Sequence, residues 1–492
     1  MKYLSELIGD EKRENFTDRP ITGLSYDSRK VQDNYLFFAI KGFKNDGNEF
    51  MYDALAKGAV AIVSERETPP DMKEHIWLKV EDVRESMAMM SSRFHQEALE
   101  LISLIGITGT NGKTTTSYII QALLTAAGSN AGVMGTIGYK DMHDTAVSFL
   151  TTPESIDIHM FLEKLVQQKV RYAVMEVSSH SISLKRVYGM HFAIALFTNL
   201  TRDHLDYHKT IEAYFEAKKQ LFERDSKINS DIALVNGDDL YGRKIYHERK
   251  SGGMKVFSYG LRPDNDLRCT RYEIERTGTV MVMEMGAKKF TIRSRLIGFP
   301  NVYNMLAACS TAFLLEISPE MISKGVQQFE GVPGRLERVD YGQDFSAIID
   351  YAHTEDAIDY LLETVKKLTD KRVIIVFGCG GDRDQGKRSL MGKAAAQKAD
   401  YIILTSDNPR SEDPVSIMNR VEEGILSVGN HPAFEKIIDR EEAIGKAIQV
   451  ARPGDVVVLA GKGHENYQII GTEKKHFCER DILKDAIRSL KK

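Results

Sequence analysis

The residues with the clearest chemical purpose stand at Gly109-Thr110-Asn111-Gly112-Lys113-Thr114-Thr115, at the end of the apolar run that begins at Leu101. An apolar, β-branched run reads as a buried strand, and two close glycines read as a tight turn. Ile119, Ile120, Leu123 and Leu124 then give an amphipathic helix that stops at Gly128. Strand, glycine turn and helix start make a phosphate cradle. Backbone N–H groups at the helix N-terminus face an anion, Lys113 adds a positive charge, and Thr114 offers a hydroxyl to Mg²⁺. The common form G-x-x-x-x-G-K-[ST] is met only in part, because Ile107 stands where its first glycine belongs.

Further chemistry follows the next two strand-like runs. Arg171–Glu176 ends in a carboxylate and leads into Val-Ser-Ser-His180, and His191–Phe197 leads into Thr-Asn-Leu-Thr-Arg-Asp-His204-Leu-Asp-Tyr-His208. Parallel α/β sheets place their chemistry in loops beyond the carboxyl ends of strands, so these loops and the glycine turn are expected to share one crevice. Glu176 suits Mg²⁺, which takes few protein carboxylates when bound to nucleotide. His204 and His208 sit four apart, but Leu205 follows the first where a zincin needs glutamate. On local grounds both histidines read as structural hydrogen-bonders. Lys218, in the amphipathic stretch Ile211–Phe222, reads on its own as a solvated helix lysine.

The elements that must position these groups need more than one domain, since 492 residues are too many for one core. Apolar content of 42%, charged content of 28% and a net charge of -4 describe an ordinary globular protein and argue against a dedicated nucleic-acid binder. Four cysteines without a C-x-x-C pair offer neither a disulfide framework nor a thiolate zinc site. The first residues turn charged too soon for a signal peptide, and no run of about 18 apolar residues exists. A cytoplasmic protein with no membrane insertion is expected.

Residues 1–98 form a first unit, with strands at Tyr35–Ile40 and Ala59–Val63 and a helix near Asp53–Lys57. Its polar stretches Tyr26–Arg29 and Lys41–Gly47 read as ordinary caps and turns. The second unit, 99–333, turns β-rich and irregular from 228 to 300, then starts a helix carrying Asn301 and Asn304. Pro and Gly at 331–334 read as a linker. The third unit, 334–492, repeats strand, loop and helix with strands at Ser346–Asp350, Val373–Phe377, Tyr401–Thr405 and Asp455–Ala460, a second parallel α/β domain. Each strand leads into a polar cluster: Asp350-Tyr-Ala-His353, Gly380-Gly-Asp-Arg383, Asp407-Asn408-Pro409-Arg410 and Gly461-Lys-Gly-His-Glu465. Gly378–Arg383 opens like a dinucleotide fingerprint, yet arginine fills the last glycine's place.

A nucleotide cradle joined to a second α/β domain suits a kinase, a GTPase, a motor ATPase or an ATP-dependent ligase. Gly109–Thr115, Glu176–His180, Thr198–His204 and Asp350–His353 together resemble the Mur ligases, which form amide bonds in peptidoglycan precursors. Asp407–Arg410, Gly461–Glu465 and the first unit are similar to the members that add the third residue of the stem peptide. The resemblance implies a three-domain α/β architecture: a UDP-MurNAc-binding domain at 1–98, a central P-loop ATPase domain at 99–333, and a Rossmann-like amino-acid domain at 334–492. It also implies that ATP phosphorylates the D-glutamate carboxylate of UDP-MurNAc-L-Ala-D-Glu, that an amine attacks the acyl phosphate, and that the enzyme works as a monomer on small molecules.

Residue roles follow from the same resemblance. Gly109 to Thr115 would bind ATP with Asn301, Asn304, Arg335 and Asp350, and Lys113 would hold its phosphates. Thr114, Glu176, His204 and Lys218 would serve Mg²⁺. Lys218 matches a lysine that family members carbamylate with CO₂, which reverses the solvated reading. Ser28, Thr151, Thr152, Ser178 and Arg186 match positions around the UDP-MurNAc dipeptide. Arg383, Asp407, Asn408, Pro409, Arg410, Gly461 and Glu465 would take the incoming amino acid.

Charge argues for meso-diaminopimelate, whose distal carboxylate Arg410 and Arg383 could grip while Glu465 takes the ammonium. Lysine ends in a bare cation that two arginines repel. The chain departs from the family pattern at Asn48, Leu150, Leu184 and Glu355, three of them on the presumed UDP-sugar side. Alternatives are a related ligase using L-lysine or another acceptor, and a P-loop ATPase acting as a regulatory switch. Under the ligase reading Lys218→Ala abolishes phosphate release whereas Lys219→Ala is mild, and two harmless substitutions would defeat the carbamate assignment.

Overall fold

The computed structural model describes residues 2–9, 17–42, 45–147, 150–223, 226–275 and 277–490. Phe43 and Lys44 of the Lys41–Gly47 stretch lie outside the described residues. The chain forms two compact units. One comprises Met1–Thr270, Met283–Phe290 and Tyr303–Gly325, the other Arg271–Val282, Thr291–Val302 and Val326–Lys492.

Two larger sheets and the short pair Lys2–Tyr3 with Pro20–Ile21 occur among the described residues of the first unit. Of the larger sheets, the N-terminal one is parallel throughout, in the order Gly23–Ser25, Tyr35–Phe38, Ala59–Ser64, Ile76–Lys79. The central sheet is built on Ser103–Thr108, which lies between Tyr172–Glu176 and His191–Phe197, parallel to both. Ala131–Met134 extends it on one side, and Asn229–Asn236 followed by Val256–Gly260 extends it on the other. Ile105 and Ile107 are fully buried, each contributing about 1.5–3 kcal/mol. Gly106 is needed between them, since a Cβ there would lie 2.8 Å from the Phe192 ring. The strand starts at Ser103 rather than 101, because Gln96–Leu101 is helical and Leu101 faces solvent.

Helix Lys113–Ala126 buries Ile119, Ile120, Leu123 and Leu124, the stripe read from the sequence. Strands Asn229–Asn236, Val256–Gly260, Leu267–Glu275, Gly278–Met285 and Lys288–Ser294 bear out the β-rich reading of 228–300, and helix Leu240–Ser251 corrects it between the first two. Asp239 caps that helix through the amides of Tyr241 and Gly242 at 2.9 and 3.0 Å. Its apolar stripe is thin. Ile245 is buried, and so is Arg249, whose guanidinium donates to the carbonyls of Phe222, Ser230 and Lys255. A buried arginine satisfied by carbonyls leaves no hydrophobic period to read.

The second unit contains a sheet ordered Glu337–Val339, Ser346–Asp350, Val456–Ala460, Val373–Phe377, Tyr401–Leu404, Ala433–Lys436. All pairs are parallel except the first. Helices Glu355–Lys366, Gly386–Lys398 and Pro414–Leu426 pack on one face through Ile358, Met391 and Ile417, and Arg440–Val450 and Glu479–Ser489 pack on the other through Ile444 and Leu483. Both faces are therefore covered, as a parallel sheet requires. Among the described residues no helix is long and apolar enough to cross a membrane.

One ion pair is sealed into this second unit. Arg440 donates to Glu479 at 2.8 Å and to the Ala460 carbonyl at 2.8 Å, with both side chains almost inaccessible. Burial pushes the Glu479 carboxyl up, and Arg440 opposes that shift. Glu479→Leu strands the guanidinium and is expected to cost about 3–5 kcal/mol, read as a lowered urea midpoint. The double variant with Arg440→Leu should recover most of the loss, because no charge is then left unpaired.

Candidate active site

The phosphate loop begins one residue after strand Ser103–Thr108, and its shortened form has a structural reason. Ile107 lies inside the strand and is fully buried, so the turn cannot start there. It starts at Gly109, with φ of 140°, and closes at Gly112, with φ of 86°. A Cβ on Gly109 would stand 2.0 Å from Thr198 Oγ1, and one on Gly112 would stand 2.3 Å from Asn304 Oδ1. Thr110 N donates to Asn199 O at 2.8 Å, Asn111 N to Asn199 Oδ1 at 3.0 Å, and Thr198 Oγ1 to Asn111 O at 2.7 Å. The 198–201 loop therefore cradles the glycine loop from outside. Lys113 Nζ donates to the Gly109 and Thr110 carbonyls at 2.9 Å each. Thr114 and Thr115 are buried in the first helical turn.

Glu176 ends the neighbouring strand, in register with Ile107, and is 1% exposed. Its carboxylate accepts from Thr136 N at 3.0 Å and Thr136 Oγ1 at 3.1 Å. His204 has φ of 52°, and its ring lies 4.9 Å from that of His180 and 6.0 Å from that of Tyr214. His208 Nε2 meets Ser179 Oγ at 2.9 Å, the structural bonding expected of it.

Lys218 overturns its stand-alone reading. Its side chain is 1% exposed, donates to Gly109 O at 3.0 Å, and lies 4.6 Å from the centre of the Tyr214 ring. Burial, with Lys113 adding to it, pushes its ammonium well below the ordinary lysine value. Among the described residues it makes no salt bridge. Helix Ile211–Lys219 presents its Tyr214 face to the phosphate loop, which turns Lys218 inward. Tyr214 itself, 3.3 Å from Thr110 Oγ1, was not legible as a site residue. The signal was its place one turn before Lys218.

Mg²⁺ fits these residues. Glu176 offers a buried carboxylate and Thr114 a hydroxyl, the hard oxygen donors that this ion prefers. Among the described residues no three His, Cys, Asp or Glu side chains converge as a closed metal cage, and nucleotide-bound Mg²⁺ needs only one or two carboxylates beside phosphate and water.

Thr151, Thr152, Ser178 and Arg186 come together. Thr151 Oγ1 lies 3.1 Å from Thr136 Oγ1, and Thr152 Oγ1 bonds Glu176 O at 2.8 Å and Ser178 Oγ at 3.3 Å. Arg186 donates to Thr152 O at 2.9 Å and is held by Glu154, which also receives Arg84 at 2.9 Å. Ser28 is buried in the turn Ser28–Lys30, and nearby Tyr26 donates its hydroxyl to Asp157 at 2.5 Å. Asp27 caps that turn and Asp46 accepts from the Asn48 amide, as ordinary caps do. Asn48 is buried between Asp46 and Ser64, Leu150 is exposed, and Leu184 ends a short helix. Glu355 takes the first position of its helix, where proline or an acidic residue fits equally well.

In the second unit, Asp350 accepts from the amides of Leu336 and Ala352 at 2.7 and 2.9 Å. Burial raises its carboxyl while Arg335 opposes, and Arg335 lies 4.9 Å from the Tyr351 ring. Asn301 donates to the Ile297 carbonyl at 2.9 Å. The two arginines expected at the amine flank one glycine: Arg410 Nη1 lies 2.9 Å and Arg383 Cγ 3.8 Å from where a Gly380 Cβ would stand. Gly461 leaves room for the Asp407 carboxylate, and Pro409 lines a cleft of about 1050 Å³ with Arg410. Lys462, passed over in the sequence, is wholly buried. It donates to Asn408 Oδ1 and Glu465 Oε2 at 3.2 Å each and lies 3.5 Å from Asp407.

Three family models match the chain: the Mur ligase family catalytic domain over residues 20–95, the Mur ligase middle domain over 107–312, and the Mur ligase glutamate ligase domain over 334–463. A UDP-N-acetylmuramoyl-L-alanyl-D-glutamate--2,6-diaminopimelate ligase of Solibacter usitatus is 45% identical, across 95% of this chain and 94% of its own. A relative of the same name from Syntrophomonas wolfei is 40% identical across 99% of both chains. A solved structure of a ligase with that name superposes with a TM-score of 0.74 at 33% identity, covering 100% of this chain and 99% of its own.

The loop geometry makes a sharp prediction. Gly109→Ala drives a methyl group into Thr198 and is expected to raise the KM for ATP at least about tenfold. Gly128→Ala, at φ of 79° with open space around its Cβ, carries only backbone strain of about 1 kcal/mol and should leave that KM unchanged.

Proposed function

The chain belongs to the Mur ligase family, and from that premise we propose that it adds meso-diaminopimelate to the D-glutamate carboxylate of UDP-MurNAc-L-Ala-D-Glu at the expense of ATP. The observation that carries the choice of amine is the pair Arg383 and Arg410 against Gly380, with Glu465 joined to the same cluster through Asn408 at 2.9 Å. A carboxylate flanked by an ammonium is the chemical complement of that set, and a bare ammonium is not.

The chemistry needs an activated acyl group, because a carboxylate is a poor electrophile. Transfer of the γ-phosphoryl of ATP to the D-glutamate carboxylate gives an acyl phosphate. The amine attacks its carbonyl carbon, and the tetrahedral adduct expels phosphate to leave the amide. Lys113 and the amides of the glycine loop hold the ATP phosphates. Thr114, Glu176, His204 and a carbamylated Lys218 would hold Mg²⁺, which when bound would neutralise phosphate charge. A buried lysine pushed toward its neutral form supports carbamylation, since CO₂ reacts with the free amine and the product is an anion. Thr151, Thr152, Ser178 and Arg186 hold the dipeptide end, and Ser28 the nucleotide-sugar side. By the family pattern, Asn301, Asn304, Arg335 and Asp350 would contact the nucleotide or the hinge around it. The protein acts in the cytoplasm as a monomer, on small molecules alone.

Phosphate release with ATP, Mg²⁺ and UDP-MurNAc-L-Ala-D-Glu tests the reading. Meso-diaminopimelate is expected to exceed L-lysine at least about tenfold in kcat/KM, the scale of one well-formed charge-assisted contact. Equal or faster turnover with L-lysine would sink the assigned amine. Release that requires neither acceptor nor amine would instead mark a regulatory ATPase.

A further inference from the structure

The two arginines assigned to the amine sit on separate loops, and neither loop holds its shape alone. Arg383 follows strand Val373–Phe377, and Arg410 follows the neighbouring strand Tyr401–Leu404. Each loop bends through a non-glycine residue in the left-handed region, Asp382 at φ of 53° and Arg410 at φ of 54°. Such conformations persist only where surrounding contacts over-determine them. Arg383 and Arg410 nonetheless approach the same glycine, Gly380.

A single carboxylate ties the two loops together. Glu412 receives a two-pronged fork from Arg388, Nη1 to Oε2 and Nη2 to Oε1, both at 2.8 Å. It also accepts the Asp382 amide at 2.6 Å. Arg388 is 2% exposed, rises from the first turn of helix Gly386–Lys398, and reaches the Gly380 carbonyl at 3.3 Å. The fork therefore grips the Arg383 loop from two sides while being anchored two residues beyond Arg410. Smaller ties run alongside it. Ser411 Oγ donates to Asp382 Oδ1 at 2.6 Å, Gly381 N to Asn408 O at 2.9 Å, and Arg410 Nη1 to Gly381 O at 2.7 Å. The backbones touch: a Cβ on Gly381 would lie 1.9 Å from Pro409 O. Arg388 holds the Glu412 carboxyl down at about 2, so the fork stays charged at neutral pH.

We propose that Glu412, clamped by Arg388, is a positioning residue that sets the spacing of Arg383 and Arg410 and thereby helps select the amine. A bidentate fork fixes direction as well as distance, which a single hydrogen bond does not. The proposal rests on the reading that these two arginines grip the distal carboxylate of the amine.

The test is steady-state kinetics of Glu412→Gln, which keeps the shape and removes the charge. The KM for meso-diaminopimelate is expected to rise at least about tenfold with kcat within about threefold, and the preference over L-lysine to shrink. The KM values for ATP and the UDP-sugar dipeptide should not move. Arg388→Lys keeps the charge but loses the fork, and should shift the same KM in the same direction. Ser411→Ala, an exposed change that spares the fold, should produce a smaller rise of about two- to fivefold and decides the matter if Glu412→Gln fails to fold. An unchanged KM for the amine in these variants overturns the proposal, as does a fall in kcat alone or an equal rise in all three KM values. If the wild type prefers L-lysine, the assignment of meso-diaminopimelate falls. The Glu412 proposal, which rests on that assignment, falls with it, whereas an unchanged KM in variants of a wild type that prefers meso-diaminopimelate overturns the Glu412 proposal alone.

Discussion

The first unit depends on one close approach, the contact of the glycine loop with Thr198. A single missing methyl group at position 109 lets the loop after one strand lie on the loop after the next, and hydrogen bonds from Thr110, Asn111 and Thr198 then lock the two together. Everything near the phosphate loop takes its place from that contact. Lys113 is set at the helix start, the carbonyl of Gly109 is turned toward Lys218, and Thr110 meets Tyr214. Such precision comes from rigid parallel strands, whose ends carry the loops at a fixed separation.

Buried charge is managed by two opposite means. In the first, Lys218 is buried among carbonyl, hydroxyl and ring with no salt bridge among the described residues, so its charged form is disfavoured. In the second, buried cations are matched: Arg388 with Glu412, Arg440 with Glu479, and Lys462 with Asp407 and Glu465. An unmatched buried lysine is chemically available, whereas matched ones act as struts. The contrast separates a residue suited to modification from residues suited to holding loops still.

Much of the site was legible because its chemistry is local. The glycine loop, the carboxylate ending a strand at Glu176 and the polar clusters after Val373–Phe377 and Tyr401–Leu404 all follow from strand periodicity and the rule that chemistry gathers at carboxyl ends. Helix Leu240–Ser251 was missed because its buried face includes Arg249, satisfied by three backbone carbonyls, so no apolar stripe marks it. Lys462 was passed over for a similar reason. A lysine between two glycines carries no sign that burial and three polar partners await it.

The amino-acid sequence by itself determined the kinds of element, the order of the loops and the family, since each depends on neighbours within a few residues or on motifs read in order. Only the tertiary structure decided which face of the helix Ile211–Lys219 turns inward, and so whether Lys218 meets solvent or the glycine loop. It also decided that Glu412 and Arg388, 24 residues apart, close on each other across two loops. The glycine loop shows the division most plainly. Its residues declare a phosphate cradle, but the reason it starts at Gly109 rather than at 107 is a packed strand and the side chain of Thr198, a contact made across 89 residues of chain. Local pattern specifies local geometry, and contacts between distant segments are set by packing that no short stretch encodes.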